Sequence, residues 1–76
     1  MIHEHDTIVL CRDIDEYGLR RGDIGAVVHC YKDGKAYEVE FVTGEGATVA
    51  VVTLESRDVR SMTIKEILHV RELQAA

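Results

Sequence analysis

The sequence predicts a mainly-β fold, a small five-stranded antiparallel barrel. Three observations predict it: runs of β-branched residues alternating at period two, glycines placed where such runs must turn, and an Asp33-Gly34 pair between two of them. At 76 residues there is room for one domain. A chain of that size buries only about 60% of the surface its unfolded form exposes, so the core is thin. The 46% hydrophobic and 30% charged residues are those of a globular chain and exclude a disordered one. Residues 1–76 read as one unit, with a barrel core over about 7–62 and an appendage over 63–76.

Thr7-Ile8-Val9-Leu10-Cys11 is a short β-branched run, the first strand, with both faces at least partly covered. The acidic loop Asp13-Ile14-Asp15-Glu16 leads into Tyr17-Gly18-Leu19, where Leu19 and Tyr17 tuck beneath the loop. Gly22 and Gly25 then let the chain bend into a second strand, Ala26 to Tyr31. Asp33-Gly34 predicts a type I′ turn, which needs φ > 0 at its centre. The third strand, Ala36 to Val42, sets Tyr37, Val39 and Phe41 on the core face and Glu38 and Glu40 on the other.

Gly44-Glu45-Gly46 makes the next turn into a fourth strand, Ala47 to Leu54, apolar on both faces. Water does not favour such an outer face, so the sequence predicts a cover for it: the C-terminal segment or another subunit. Glu55 to Asp58 takes the place of a short 3₁₀ turn before a last strand near Val59 to Met62. Thr63-Ile64-Lys65-Glu66 fits a capping box and predicts a short helix from Ile64, with Ile64, Ile67 and Leu68 on one face, fraying by Ala75-Ala76. Leu68-His69-Val70-Arg71 also alternates like a strand, so the appendage is helical or extended.

Tyr17-Gly18-Leu19, Gly22-Asp23-Ile24-Gly25-Ala26-Val27-Val28, Ala36-Tyr37-Glu38-Val39-Glu40-Phe41 and Thr53-Leu54 through Asp58-Val59-Arg60 together resemble a family of small bacterial proteins known only as a domain of unknown function. Its opening reads Y-G-L-x-x-G-D-x-G-x-V-V and its third strand Y-E-V-E-F. The resemblance covers nearly the whole chain and implies an SH3-like barrel and a stand-alone bacterial protein, with no activity or catalytic residues to carry over. A wider resemblance, in the Gly-Asp-x-Gly-x-Val entry to the hairpin, runs to KOW-type modules of ribosomal and transcription-elongation proteins. That one implies nucleic-acid binding, from which this chain departs in charge.

The formal charge of -5, from 14 acidic and 9 basic residues, repels phosphate backbones and anionic lipid, so a nucleic-acid or membrane partner is not expected. No apolar run approaches the roughly 20 residues that cross a bilayer. The start Met1-Ile2-His3-Glu4-His5-Asp6 lacks the basic and apolar regions of a signal peptide, and the expected location is the cytoplasm. Cys11 and Cys30 lie in apolar strand patterns and read as two reduced, packed thiols.

No catalytic, cofactor or metal residue is expected. His3, His5, His29, Cys11, Cys30 and His69 show no spacing that presents two metal ligands on one surface. Burial of the cysteines raises a thiol's pKa and blocks a nucleophile. Asp13, Asp15 and Glu16 lack the spacing of a calcium loop and read as a solvated acidic loop. Gly22-Asp23-Ile24-Gly25 precedes a strand rather than a helix and so is no phosphate cradle; Asp23 reads as an acceptor for nearby loop amides. Arg20, Arg21, Lys32, Lys35, Arg57 and Arg60, without aromatic platforms around them, read as solubilising charge.

These readings favour a protein-interaction or accessory module over an enzyme, with another protein or a second copy as partner. The expected contact surface is Tyr17, Val27, Tyr31, Val49 and Val51. KOW-like nucleic-acid binding, and an antitoxin or immunity-type role, are the alternatives.

Overall fold

A computed structural model describes residues 2–73. Five strands form one antiparallel sheet: β1 (Thr7–Leu10), β2 (Ile24–Cys30), β3 (Ala36–Val42), β4 (Thr48–Glu55) and β5 (Val59–Ser61). Their order across the sheet is β4-β3-β2-β1-β5. One 3₁₀ turn, Asp15–Tyr17, lies between β1 and β2, and a second, Ser56–Asp58, carries the chain from β4 to β5. The mainly-β expectation holds. The barrel, however, is not closed: β4 and β5 are the two edges, and β5, only three residues long, pairs with β1 alone. Closure needs a ladder between the edge strands, which so short a strand does not extend to β4.

Alternation sorts the side chains. Tyr37, Val39 and Phe41 of β3 face Ala50, Val52 and Leu54 of β4, and with Ile8, Leu10, Val27 and Val59 they make the core; Ile14 and Leu19 close it beneath the first loop. Tyr17 does not tuck in with Leu19. It remains exposed because Gly18, in the left-handed conformation at φ 69°, reverses the chain between them.

Gly25 sits inside β2 rather than at a bend. A Cβ there would stand 2.6 Å from Val39 Cγ1, so its role is to let β2 approach β3 closely. Two residues later the ladder slips: Val27 pairs with Val39, but His29 pairs with Glu38. Val28 is thus the extra residue of a β-bulge, which turns both Val27 and Cys30 toward the core side. Val27, two residues on from Gly25 and on the same face, is fully buried and no part of a contact surface, contrary to its expected place there.

The hairpin at Asp33-Gly34 is real but is not a type I′ turn. The Gly34 amide donates to the Tyr31 carbonyl at 2.9 Å and the Tyr31 amide to the Ala36 carbonyl at 3.0 Å, leaving four residues in the loop. Only Gly34 takes φ > 0; Asp33 instead accepts the Lys35 amide at 3.0 Å through Oδ1.

The expected helix from Ile64 is absent. The Glu66 carboxylate does accept the Thr63 amide at 2.7 Å, as a capping box requires, but one turn forms and the chain then runs without regular structure to Leu73. A short helix is marginal without a face to bury, and Ile64 and Ile67 contact nothing that would bury them. Arg71, meanwhile, is drawn onto Asp23. The fraying placed at Ala75-Ala76 lies outside the described residues.

Candidate functional site

The sheet's outer face is not the continuous apolar surface that β4 suggested. Val51 is exposed, but its partner across the ladder is Glu40, and Thr53 stands opposite Glu38. Hydroxyls hold both carboxylates: Tyr31 Oη donates to Glu38 at 2.9 Å, the Thr53 hydroxyl donates to the same oxygen, and Thr48 donates to Glu40 at 2.7 Å. The Glu38 carboxylate, with burial behind it, pushes the Tyr31 hydroxyl's pKa up. Tyr31 also packs edge-on against His29, their ring centroids 4.9 Å apart.

Val49 faces a different surface. It lines a cleft of about 360 Å³ with Leu19, Ile24, Phe41 and Val42, and His69, Val70, Arg71 and Leu73 form its other wall. The C-terminal segment thus shares this part of β4, as one of the two expected covers would.

Asp23 anchors that wall. The residue is buried, and its carboxylate accepts four hydrogen-bonding groups. The Arg20 amide donates to Oδ2 at 2.8 Å; Arg71 donates from Nε to Oδ1 at 2.8 Å and from a terminal nitrogen to Oδ2 at 2.5 Å; His69 Nε2 lies 3.2 Å from Oδ1. Arg71 also donates to the Gly18 carbonyl at 2.8 Å. Burial opposes the Asp23 charge, but Arg71, the Arg20 amide and His69 outweigh it and hold the carboxyl below its ordinary range.

Asp58 repeats the device at the other edge of β1. Its carboxylate accepts the Glu55 amide three residues back at 3.0 Å and Arg12 Nε at 2.8 Å. Here too burial opposes ionisation, and Arg12 with the Glu55 amide depresses the pKa regardless. Both aspartates also bind the end of β1 through their carbonyls, which accept the amides of Leu10 and Cys11 at 2.8 and 2.7 Å.

Asp23 accepts a loop amide, as its turn position suggested. The arginine across from it was not legible, because 48 residues separate the pair and no local pattern marks such a contact. Residues 4–61 match a family model described as a domain of unknown function, DUF4926. The chain belongs to that family. No curated protein and no solved structure matches it. The DUF4926 region ends at the last residue of β5, so Asp23 and the cleft's floor lie within the family's part while Arg71 lies beyond it.

Both thiols are free. Burial, with Glu4 and Asp6 nearby, pushes the Cys30 thiol up, a setting that suppresses the nucleophilic thiolate. Among the described residues no group of three or more His, Cys, Asp or Glu side chains is placed to hold a metal ion, and no helix is long and apolar enough to cross a membrane.

Proposed function

We propose that this DUF4926 domain is a small protein-interaction module whose contact element is the C-terminal segment 63–73 beside the Asp23 cleft. One observation carries the reading: Ile64, Ile67 and Val70 are 100%, 97% and 93% exposed, with Leu68 and Leu73 also exposed close by. Five large aliphatic side chains on one short stretch of water-facing chain mark a surface that a partner covers. Val49 inside the cleft adjoins that element; Tyr17 is exposed at the first loop, and Val51 and Tyr31 lie on the outer face among carboxylates.

Charge supports a protein partner over nucleic acid. Arg12, Arg20, Arg57, Arg60 and Arg71, five of the nine basic residues, each face a carboxylate in a chain whose net charge is -5, which disfavours a phosphate backbone. Asp23 is already engaged by a guanidinium, so the cleft supports binding rather than acid–base chemistry. The strand order, with a 3₁₀ turn before β5, supports an SH3-like architecture opened between its edges. Two free thiols are in keeping with a reducing compartment such as the cytoplasm.

The test compares the full chain with an Ile64→Glu/Ile67→Glu variant. Light scattering measures self-association, and a photo-crosslinker placed at Ile67 in cells captures any other protein at that position. The reading expects either a mass above the single-copy 8.5 kDa or a discrete adduct, each lost in the variant while the circular dichroism spectrum stays that of the parent. A chain that remains a monomer at millimolar concentration and yields no adduct overturns it.

A further inference from the structure

The two buried aspartates differ in where their arginines come from. Arg12, which serves Asp58, lies inside the family's region; Arg71, which serves Asp23, lies outside it. The family's part alone therefore presents an acidic socket with an apolar floor, and this chain carries its own plug. Arg71 grips both oxygens of Asp23, and Leu73 Cδ1 comes within 3.6 Å of where a side chain on Gly18 would begin.

Residues 63–68, which connect β5 to that plug, are tied at their base. The Thr63 amide and Arg60 both donate to Glu66, at 2.7 Å for the amide and at 2.8 and 2.6 Å for the guanidinium. Beyond that tie, Ile64 and Ile67 stand in water. Docking the plug into its own chain's socket leaves both of them there. Every contact of the plug is made just as well in the socket of an identical chain, because socket and plug are encoded together.

We propose that two copies of this chain exchange their C-terminal segments, Arg71 and Leu73 of each seated at Asp23 and Gly18 of the other. The exchange keeps all bonds of the self-docked form. It also lets the two connecting segments cross, so that Ile64 and Ile67 of both chains cover one another, which opposes the entropic cost of association. The occupant is thus a second copy: the Asp23–Arg71 pair, made in either form, fixes where its segment docks, and its linker brings the apolar residues that cover Ile64 and Ile67. This proposal rests on the interaction reading above and specifies its partner.

A charge-swap pair tests it on full-length chains. Asp23→Arg alone and Arg71→Glu alone each set like charges against each other in a homodimer and should run at the single-copy mass of 8.5 kDa. Mixed one to one, they restore opposite charges at both sockets and should run at about double that mass. A mixture that stays monomeric overturns the exchange.

Should Asp23→Arg fail to fold, a nitroxide at position 73 decides instead. It is attached to Leu73→Cys in a Cys11→Ala/Cys30→Ala background, and the labelled chain is mixed with unlabelled, nitrogen-15-enriched chain. Strong broadening of the Gly18 and Leu19 amides in the enriched chain supports exchange. Their remaining sharp in a sample that light scattering shows to be dimeric overturns exchange while leaving the interaction reading intact. A monomeric sample with sharp amides overturns self-association altogether.

Discussion

Replacing Gly25 by alanine isolates the close approach of β2 and β3. The Cβ would stand 2.6 Å from Val39 Cγ1, 2.9 Å from Phe41 Cε1 and 3.1 Å from the Glu40 carbonyl oxygen, where carbon pairs prefer about 3.5–4.0 Å. Two buried side chains must each shift by roughly 1 Å, and the strand cannot retreat because Ala26 pairs with Glu40 in the ladder. Overpacking of this kind costs about 1–3 kcal/mol, while losing a glycine restricts the unfolded chain and returns about 0.4–1 kcal/mol. Since Gly25 has no positive φ, no backbone strain is added. Two contacts under 3.0 Å put the overpacking in the upper half of its range, about 2–3 kcal/mol, so the expected net loss is about 1–2.6 kcal/mol, or about 4–20 °C in Tm for a domain of this size. Thermal and urea unfolding followed by far-ultraviolet circular dichroism measure it. The double variant Gly25→Ala/Val39→Ala should be more stable than the two single losses added together predict, by at least about 0.5 kcal/mol, because it removes the methyl that clashes. Gly25→Ala as stable as the parent, or simple additivity with Val39→Ala, would refute the packing argument.

Asp23 and Asp58 both have depressed folded-state pKa values, so their stabilisation is present above the unfolded carboxylate range near pH 4 and is lost as pH falls through the folded values. The urea midpoint of the parent should therefore fall below about pH 4, and its advantage over Asp58→Asn should close across the same interval; a constant difference down to pH 2 would contradict this. Glu66, held to about 2 chiefly by its hydrogen bond to Arg60, should report the same contact by carbon-13 NMR titration, rising toward the usual value of 4.5 in Arg60→Ala. Cys30 should react with a disulfide reagent at neutral pH more slowly than a free cysteine, its pKa lying above the ordinary value; equal rates would show an open thiol. Gly34→Ala should cost about 1 kcal/mol or more through its left-handed φ of 71°, whereas Gly44→Ala, with no positive φ and open space around it, should cost far less.

The strands were legible because their signals are local. Tyr37, Val39 and Phe41 alternate at the period of a strand and are buried, and the bounds of β3 are those the alternation marks. The second 3₁₀ turn and the short strand after it also lie where expected. What failed were readings in which one residue changes parity or a distant group intervenes. The bulge at Val28 put Cys30, three residues on from Val27, on the core side with it, because period two breaks wherever one strand holds an extra residue. Thr63 and Glu66 carry a helix-start pattern and make half of its bonds, yet Arg60 and Asp23 hold the chain on either side. The expected contact surface was read as one patch and is divided by the sheet itself, with Val49 in the cleft, Val51 and Tyr31 across it beside glutamates, and Tyr17 at the first loop.

The paired aspartates explain why the C-terminal segment matters to a sheet that does not contain it. Asp23 and Asp58 clasp successive residues at the end of β1 through their carbonyls, and each turns its carboxylate toward an amide three residues earlier. A buried carboxylate with one amide donor is under-satisfied, and leaving such a charge unpaired is costly, so each needs a guanidinium. For Asp58 the next loop supplies it within two residues of β1, and the clasp is self-contained. For Asp23 the guanidinium arrives from beyond the family's boundary, which makes the second clasp conditional on where the segment 63–73 is docked. Any event that lifts Arg71 away leaves the Asp23 carboxylate beside β1, Gly22 and the cleft without its guanidinium, so the state of the segment and the firmness of that corner of the sheet change together.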